Sequence, residues 1–226
     1  MQKGIVRAVF RGTVQTLGHI KSAINKQPVT GPIAVHKLGL EGDEQEAVHV
    51  HGGVDKAVHC YAFEHYATWQ NELPQCSMLK TPSAFGENLS VEGLNEHNVC
   101  IGDRWQVGSS ILVVSQGRQP CFKLNVRFGV EDMAERAQNT LRSGWYFSVE
   151  QPGTLAAGDE LILLSRPKEA YSVATLLAMI RDRITDPALI KPILQLPMAS
   201  SWHRLFENRL QSQQVEDWTS RLRGKS

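Results

Sequence analysis

Up to about Pro167 the apolar positions come in short runs, several alternating with polar ones, cut by glycine-rich turns. Gly4 to Arg11, Ala34 to Leu38, Ala57 to Ala62 and Leu89 to Glu92 read as strands. So do Arg104 to Val107, Ile111 to Ser115, Trp145 to Glu150 and Glu160 to Leu164. Three Gly-Asp pairs punctuate them: Gly42-Asp43, Gly102-Asp103 and Gly158-Asp159. Glycine reaches positive φ and aspartate bonds its local backbone, so these are turn signals. Two helical stretches interrupt the β pattern. One is Phe63 to Leu73; the other is Glu131 to Arg142, with Met133, Ala134, Ala137 and Leu141 on one face and Gly144 as its stop. The pattern predicts a mainly β barrel or sandwich with helical insertions.

After Pro167 the period changes to that of a helix. Ser172 caps Val173, Leu176, Leu177 and Ile180. Asp186-Pro187 opens a second helix through Leu194. Ser200 or Ser201 caps a third, with Trp202, Leu205, Phe206 and Leu210 inward; the polar tail from Ser212 is helical or frayed. The chain therefore divides into a β unit over residues 1–167 and a three-helix unit with its tail over residues 168–226. Residues 171–226 carry 8 Lys+Arg against 5 Asp+Glu, which invites a helix-turn-helix reading for DNA. The basic residues do not cluster, so a docking or dimerisation bundle, able to form a homodimer interface or cover the barrel, is the better account.

Composition narrows the class. The 226 residues hold 24 Lys+Arg and 23 Asp+Glu, a net charge of +1, which argues against a protein that coats nucleic acid or anionic membrane. No apolar run approaches the ~18 residues of a membrane span, and the first residues do not resemble a signal peptide, so a cytoplasmic protein is expected. The cysteines, Cys60, Cys76, Cys100 and Cys121, lie 16, 24 and 21 residues apart. In a reducing compartment they are buried thiols, ligands or nucleophiles rather than a disulfide framework. There is no G-x-G-x-x-G and no Walker A sequence.

The strongest candidate chemistry is Ser115-Gln-Gly-Arg-Gln-Pro-Cys121-Phe-Lys123, which follows the apolar strand Ile111 to Val114. Pro120 suits the first turn of a helix and would place Cys121 near its N-terminus. A helix N-terminus and the cations Arg118 and Lys123 would favour the thiolate, as a nucleophile or soft-metal ligand needs. The alternative is an inert thiol, as expected for Cys60 between Val58 and Tyr61. A second candidate runs from His49 to His59. Its Gly52-Gly53 pair could present backbone amides to an anion, and Lys56 suits phosphate. His49 and His51 would share a strand face as zinc ligands might, but no matching second pair stands at a zinc spacing. In the third, Phe85 to Gly93, Asn88 could bond a polar heterocycle or its own turn.

Five of these pieces occur together: Gly39-Leu-Glu-Gly-Asp43, His51-Gly-Gly-Val-Asp-Lys-Ala-Val58, Phe85-Gly-Glu-Asn-Leu89, Ile101-Gly-Asp103 and Arg118-Gln-Pro-Cys121. Their order resembles the MOSC family, named for the C-terminal domain of molybdenum cofactor sulfurases. The three-helix appendage also looks like that of one branch of the family. The resemblance implies a MOSC-type β-barrel that carries a molybdenum cofactor, molybdenum with molybdopterin, and makes Cys121 the metal ligand. Lys56, Arg118 and the Gly52 and Gly53 amides become candidates for its phosphate, and His51 and Asn88 for pterin contacts. It implies an oxidoreductase that reduces small N-hydroxylated compounds, such as N-hydroxylaminopurine-type base analogues, hydroxylamines and amidoximes, in detoxification by oxygen-atom transfer. With no flavin or nicotinamide motif and no Fe–S cysteine set, it would need a separate electron donor such as a flavoprotein reductase. A non-redox sulfur-carrier or cofactor-binding module is the alternative.

Overall fold

Strand β1 (Lys3–Arg11) shows how the pattern builds the barrel. Gly4 and Val6 point inward and Lys3, Ile5 and Arg7 outward, until a bulge between Val6 and Ala8 resets the phase so that Val9 and Phe10 are buried. The computed structural model describes residues 2–46 and 52–224. A hairpin of β2 (Gln15–Leu17) and β3 (Ile20–Ser22) follows, then β4 (Gln27–Pro28), β5 (Ile33–His36) and β6 (Gly39–Leu40). The larger strands are β7 (Val58–Ala62), β8 (Leu89–Glu92), β9 (Arg104–Val107), β10 (Ser110–Gly117) and β11 (Trp145–Gln151). The short β12 (Gly153–Leu155) and then β13 (Glu160–Ser165) complete the set.

Seven strands close a ring in the order β1-β13-β9-β10-β11-β7-β8 and back to β1. Of these pairs β7 and β8 run parallel, with Cys60 opposite Leu89; the others are antiparallel. The expectation of a mainly β barrel with helical insertions is met. β7 is buried at all five residues because both its faces are covered. One side faces the barrel. The other lies under α1 (His65–Glu72), α2 (Lys123–Phe128) and α3 (Met133–Thr140), where Tyr61, Trp69, Phe85, Phe128 and Met133 form a second apolar cluster. Phe85 stacks on Tyr61 at 4.4 Å.

The turn readings hold. Asp103 accepts from the Cys100 amide and binds Arg166, while Asp159 accepts from Ala156. α3 ends earlier than its sequence suggested: Leu141 adopts φ 62° and stops it three residues before Gly144. In the C-terminal part, α4 (Val173–Arg181) is capped by Ser172 and α5 (Pro187–Ile193) by Asp186. α6 (Ser200–Ser212) departs from expectation, because its N-cap residue is Ala199. Asp55, in the β unit, supplies the missing acceptor to the Ser200 amide at 3.2 Å. The tail forms one more turn of helix, α7 (Thr219–Arg223).

The helices do not bury a core of their own. Val173, Leu177, Ile190, Trp202 and Phe206 belong to the same apolar cluster as Val114, Trp145 and Phe147 of the barrel. Among the described residues, no helix is long and apolar enough to cross a membrane.

Candidate functional site

β10 delivers the site. It runs past Ser115 to Gly117, where α4 lies so close that a Cβ would stand 2.9 Å from Leu177 Cγ and from Val173 Cγ1. The chain then leaves the sheet: the Arg118 amide donates to Gly144 O at 2.9 Å, Pro120 lies in an irregular stretch, and a turn begins at Cys121. α2 starts only at Lys123 and is six residues long. Pro120 and Cys121 therefore precede the helix instead of forming its first turn. Cys121 is half-buried, and its carbonyl accepts from the Leu124 amide at 2.9 Å.

The Gly52-Gly53 pair leads into a single helical turn, Val54–Lys56, with Gly53 at φ 88°. That turn carries Lys56 into the cleft beside Cys121. Burial pushes the Lys56 ammonium pKa down, with Asp55 and then Cys121 pulling it back. Neither Gly52 nor Gly53 is itself among the lining residues. His51, and His49 with it, lie outside the described residues.

The cleft has two lobes that share Lys56, Cys121 and Tyr146. The first reaches the barrel mouth and is lined further by Lys26, His59, Asn88 and Arg118. The second runs between α2 and α7, past Gln119, Phe122 and Arg221. Four residues proposed from sequence, Lys56, Asn88, Arg118 and Cys121, thus meet in the first lobe, although 65 residues separate the ends of that set. Asn88 is also a strand tie: its Oδ1 accepts from the His59 amide at 3.0 Å and its Nδ2 donates to Phe10 O at 3.1 Å. Lys123, expected beside Cys121, lines this lobe and pairs with Glu46 at 2.7 Å.

Two lining residues, Tyr146 and Lys26, escaped the sequence reading, and His59 entered it only as the end of the second candidate segment. His59 is buried, and burial, then the Arg118 guanidinium, holds its imidazole well below the ordinary value. It is therefore neutral at pH 7. The Tyr146 ring lies 5.0 Å from it, and burial pushes that phenol up. Lys26 is paired with Asp43 of the first Gly-Asp turn, both side chains nearly inaccessible. Strand alternation could have placed Tyr146 opposite the inward Trp145 and Phe147, but nothing local announces that this face meets a cleft.

The chemistry of the donor set is unusual. Arg118 is only 7% exposed, yet its Nη1 has no hydrogen-bond partner and it makes no ion pair among the described residues. A buried cation without a counter-charge is costly, so an anion or strong acceptor belongs there. Among the described residues, no three His, Cys, Asp or Glu side chains gather to hold a metal ion. Cys121 is the one cysteine among the described residues that line the two lobes. One soft thiol, one uncompensated guanidinium and an amide beside a cleft fit a metal cofactor that carries its own ligands and an anionic group.

Comparison with known proteins agrees with this fold. A family model described as the MOSC domain matches residues 47–162, the stretch that carries Lys56, Asn88, Arg118 and Cys121. The chain belongs to the MOSC domain family. It is 39% identical to Protein YiiM of Escherichia coli (strain K12) over 218 residues, which covers 96% of this chain and 97% of that one. The crystal structure of YiiM from Escherichia coli superposes with a TM-score of 0.81 at 34% identity, covering 96% of this chain and 98% of that one. A protein named Reductase from Gibberella moniliformis (strain M3125 / FGSC 7600) is 39% identical over 196 residues. That match covers 86% of this chain but only 35% of the fungal protein. These likenesses place the chain among molybdenum-cofactor-associated domains.

Proposed function

We propose that the protein is a molybdenum-cofactor-dependent reductase of small N-hydroxylated compounds, with Cys121 as the protein's ligand to molybdenum. The observation that carries this is Arg118, a buried guanidinium whose Nη1 has no partner, in the same cleft as Cys121. When bound, the cofactor supplies two-electron removal of oxygen from an N–O bond; a separate electron donor, such as a flavoprotein reductase, restores it.

The chain's own residues do the rest. The Cys121 thiolate fixes the metal's place at the junction of the two lobes. Arg118 and Lys56 balance the negative charge of the cofactor, and both are partly or fully desolvated, which strengthens that attraction. Asn88 keeps one amide hydrogen beyond its bond to Phe10 O and can offer it to an acceptor on the pterin edge. Neutral His59 and protonated Tyr146 add no charge to the site but can hold a hydrogen bond. Gly52 and Gly53 let the chain turn so that Lys56 enters, and His51 is a further pterin contact in this reading. The helical unit closes one side of the cleft through α7.

The test is purification from a host competent in molybdenum cofactor synthesis, followed by quantitation of molybdenum and released pterin, beside Cys121→Ser. The expected result is both in the parent, with molybdenum reduced in the variant, and consumption of an N-hydroxylated substrate under a chemical reductant. Absence of both after cofactor reconstitution would sink the reading, and a persulfide on Cys121 without turnover would make the protein a sulfur carrier instead.

A further inference from the structure

The second lobe of the cleft is completed by a part of the chain that the family domain does not contain. The MOSC match ends at residue 162, whereas Ser220, Arg221, Arg223 and Gly224 line this lobe. Its volume is about 720 Å³, within the range of small-molecule sites. Its charges are of one sign: Lys56, Arg221 and Arg223 line it, His19 adds a ring nitrogen, and no Asp or Glu stands among the lining residues described. The first lobe differs, since Glu44 and Glu46 are part of its wall.

Arg221 is the central group. It is half-buried, and its two Nη atoms donate to Pro120 O and Gln138 Oε1, both neutral acceptors. Its charge is thus held in place without a carboxylate on it. Arg223 projects further out, with Glu135 at 3.0 Å as its partner. Two guanidinium groups beside an ammonium suit a tetrahedral dianion, because each guanidinium offers paired N–H donors to its oxygens.

We propose that this lobe is the substrate lobe and that it binds a phosphate monoester, so that the preferred substrate is a phosphorylated N-hydroxylated compound of nucleotide size rather than the uncharged base. The proposal rests on the reading that Cys121 holds the cofactor. A group common to the family is held by the family domain. The cations that α7 adds beyond it therefore serve a group other than that cofactor, which is the molecule presented to Cys121. The phosphate would sit at the α7 end, and the N–O group would reach the junction of the lobes.

The experiment is calorimetric binding of adenosine monophosphate and of adenosine to the cofactor-loaded full chain at fixed ionic strength. Neither probe has an N–O bond, so neither turns over. The monophosphate is expected to bind about 10-fold tighter or more than the nucleoside. Arg221→Gln should remove most of that preference. Arg223→Gln, on an exposed side chain that does not hold the Cys121 turn, should reduce it while leaving adenosine binding unchanged. Equal binding of the two probes overturns the proposal. So does a preference lost in Arg118→Gln but kept in both α7 variants, which would put the phosphate in the first lobe. So does monophosphate binding to the cofactor-free protein alone, which would assign these cations to the cofactor's own phosphate. The molybdenum content of the same samples reads the cofactor separately. If none can be loaded, the reductase reading falls, and the probe preference still decides whether the lobe is a phosphate site.

Discussion

The Phe122 amide donates to the Arg221 carbonyl at 2.7 Å, so the residue after Cys121 is tied to the last helix of the chain. The tie is doubled: Arg221 Nη1 reaches back to Pro120 O, and Asn125 Nδ2 donates to Leu222 O at 2.8 Å. Cys121 sits in a turn fastened on both sides by a helix about a hundred residues away. Arg221→Ala should therefore loosen the turn. Loss of its charged hydrogen bonds is expected to cost about 1.5–3 kcal/mol, read as a lower denaturant midpoint at unchanged slope. The Phe122 amide, which donates to the Arg221 carbonyl, should also exchange faster with solvent. An unchanged exchange rate would mean that the turn holds itself.

Arg118 should show stability and function pulling in opposite directions. Its Nη1 is buried without a partner, so the cofactor-free protein carries the desolvation cost of that charge. Arg118→Met removes the charge and keeps much of the apolar stem. The cofactor-free variant is expected to be more stable than the parent by about 1–3 kcal/mol. The same variant should retain far less molybdenum through gel filtration. A variant that is destabilised without cofactor would mean that Arg118 is paid for by the fold itself, and the anion-site reading would lose its main support.

The strands were legible because period-2 alternation survives locally, as in β11, where Trp145, Phe147 and Val149 face in. The meeting of the site residues was not, because it follows from strand order. β11 sits between β10 and β7, which brings Tyr146 beside His59, and β7 pairs parallel with β8, which brings His59 to Asn88. No local pattern states such an order. Capping failed for a related reason. Ser200 and Ser201 look like caps, but the acceptor comes from Asp55, 145 residues away. Pro120 misled because proline fits an irregular connecting stretch as well as a first helical turn. The tail reads as helical or frayed because the five residues of α7 carry too little periodicity to decide between the two.

Gly117 tests whether the barrel and the C-terminal helices stand or fall together. A Cβ there would lie 2.9 Å from Val173 and Leu177, side chains of a well-packed seam. Gly117→Ala is expected to cost about 1–3 kcal/mol by overpacking. Because both parts share one apolar cluster, hydrogen exchange of the barrel-strand amides and of the C-terminal helix amides should report the same lowered stability. Two different stabilities in the variant would show that the helices form an independently folding domain.

His59 sets an acid limit on the first lobe. Burial, and then the neighbouring Arg118 charge, hold its folded pKa well below the 6.5 of a free imidazole. The unfolded chain therefore takes up a proton near pH 6.5 that the folded chain refuses, and below that pH the unfolded state binds more protons. The stability that comes with a neutral His59 is full above about pH 6.5 and declines as the pH falls below it. His59→Gln keeps a donor for Ser143 O, which lies 3.4 Å from Nε2, but cannot be protonated. The melting temperature of the parent should fall between pH 7 and pH 5 by more than that of His59→Gln. Parallel curves for the two proteins would mean that the imidazole is not held neutral by its surroundings, and the account of His59 as a buried, neutral member of this lobe would have to be given up.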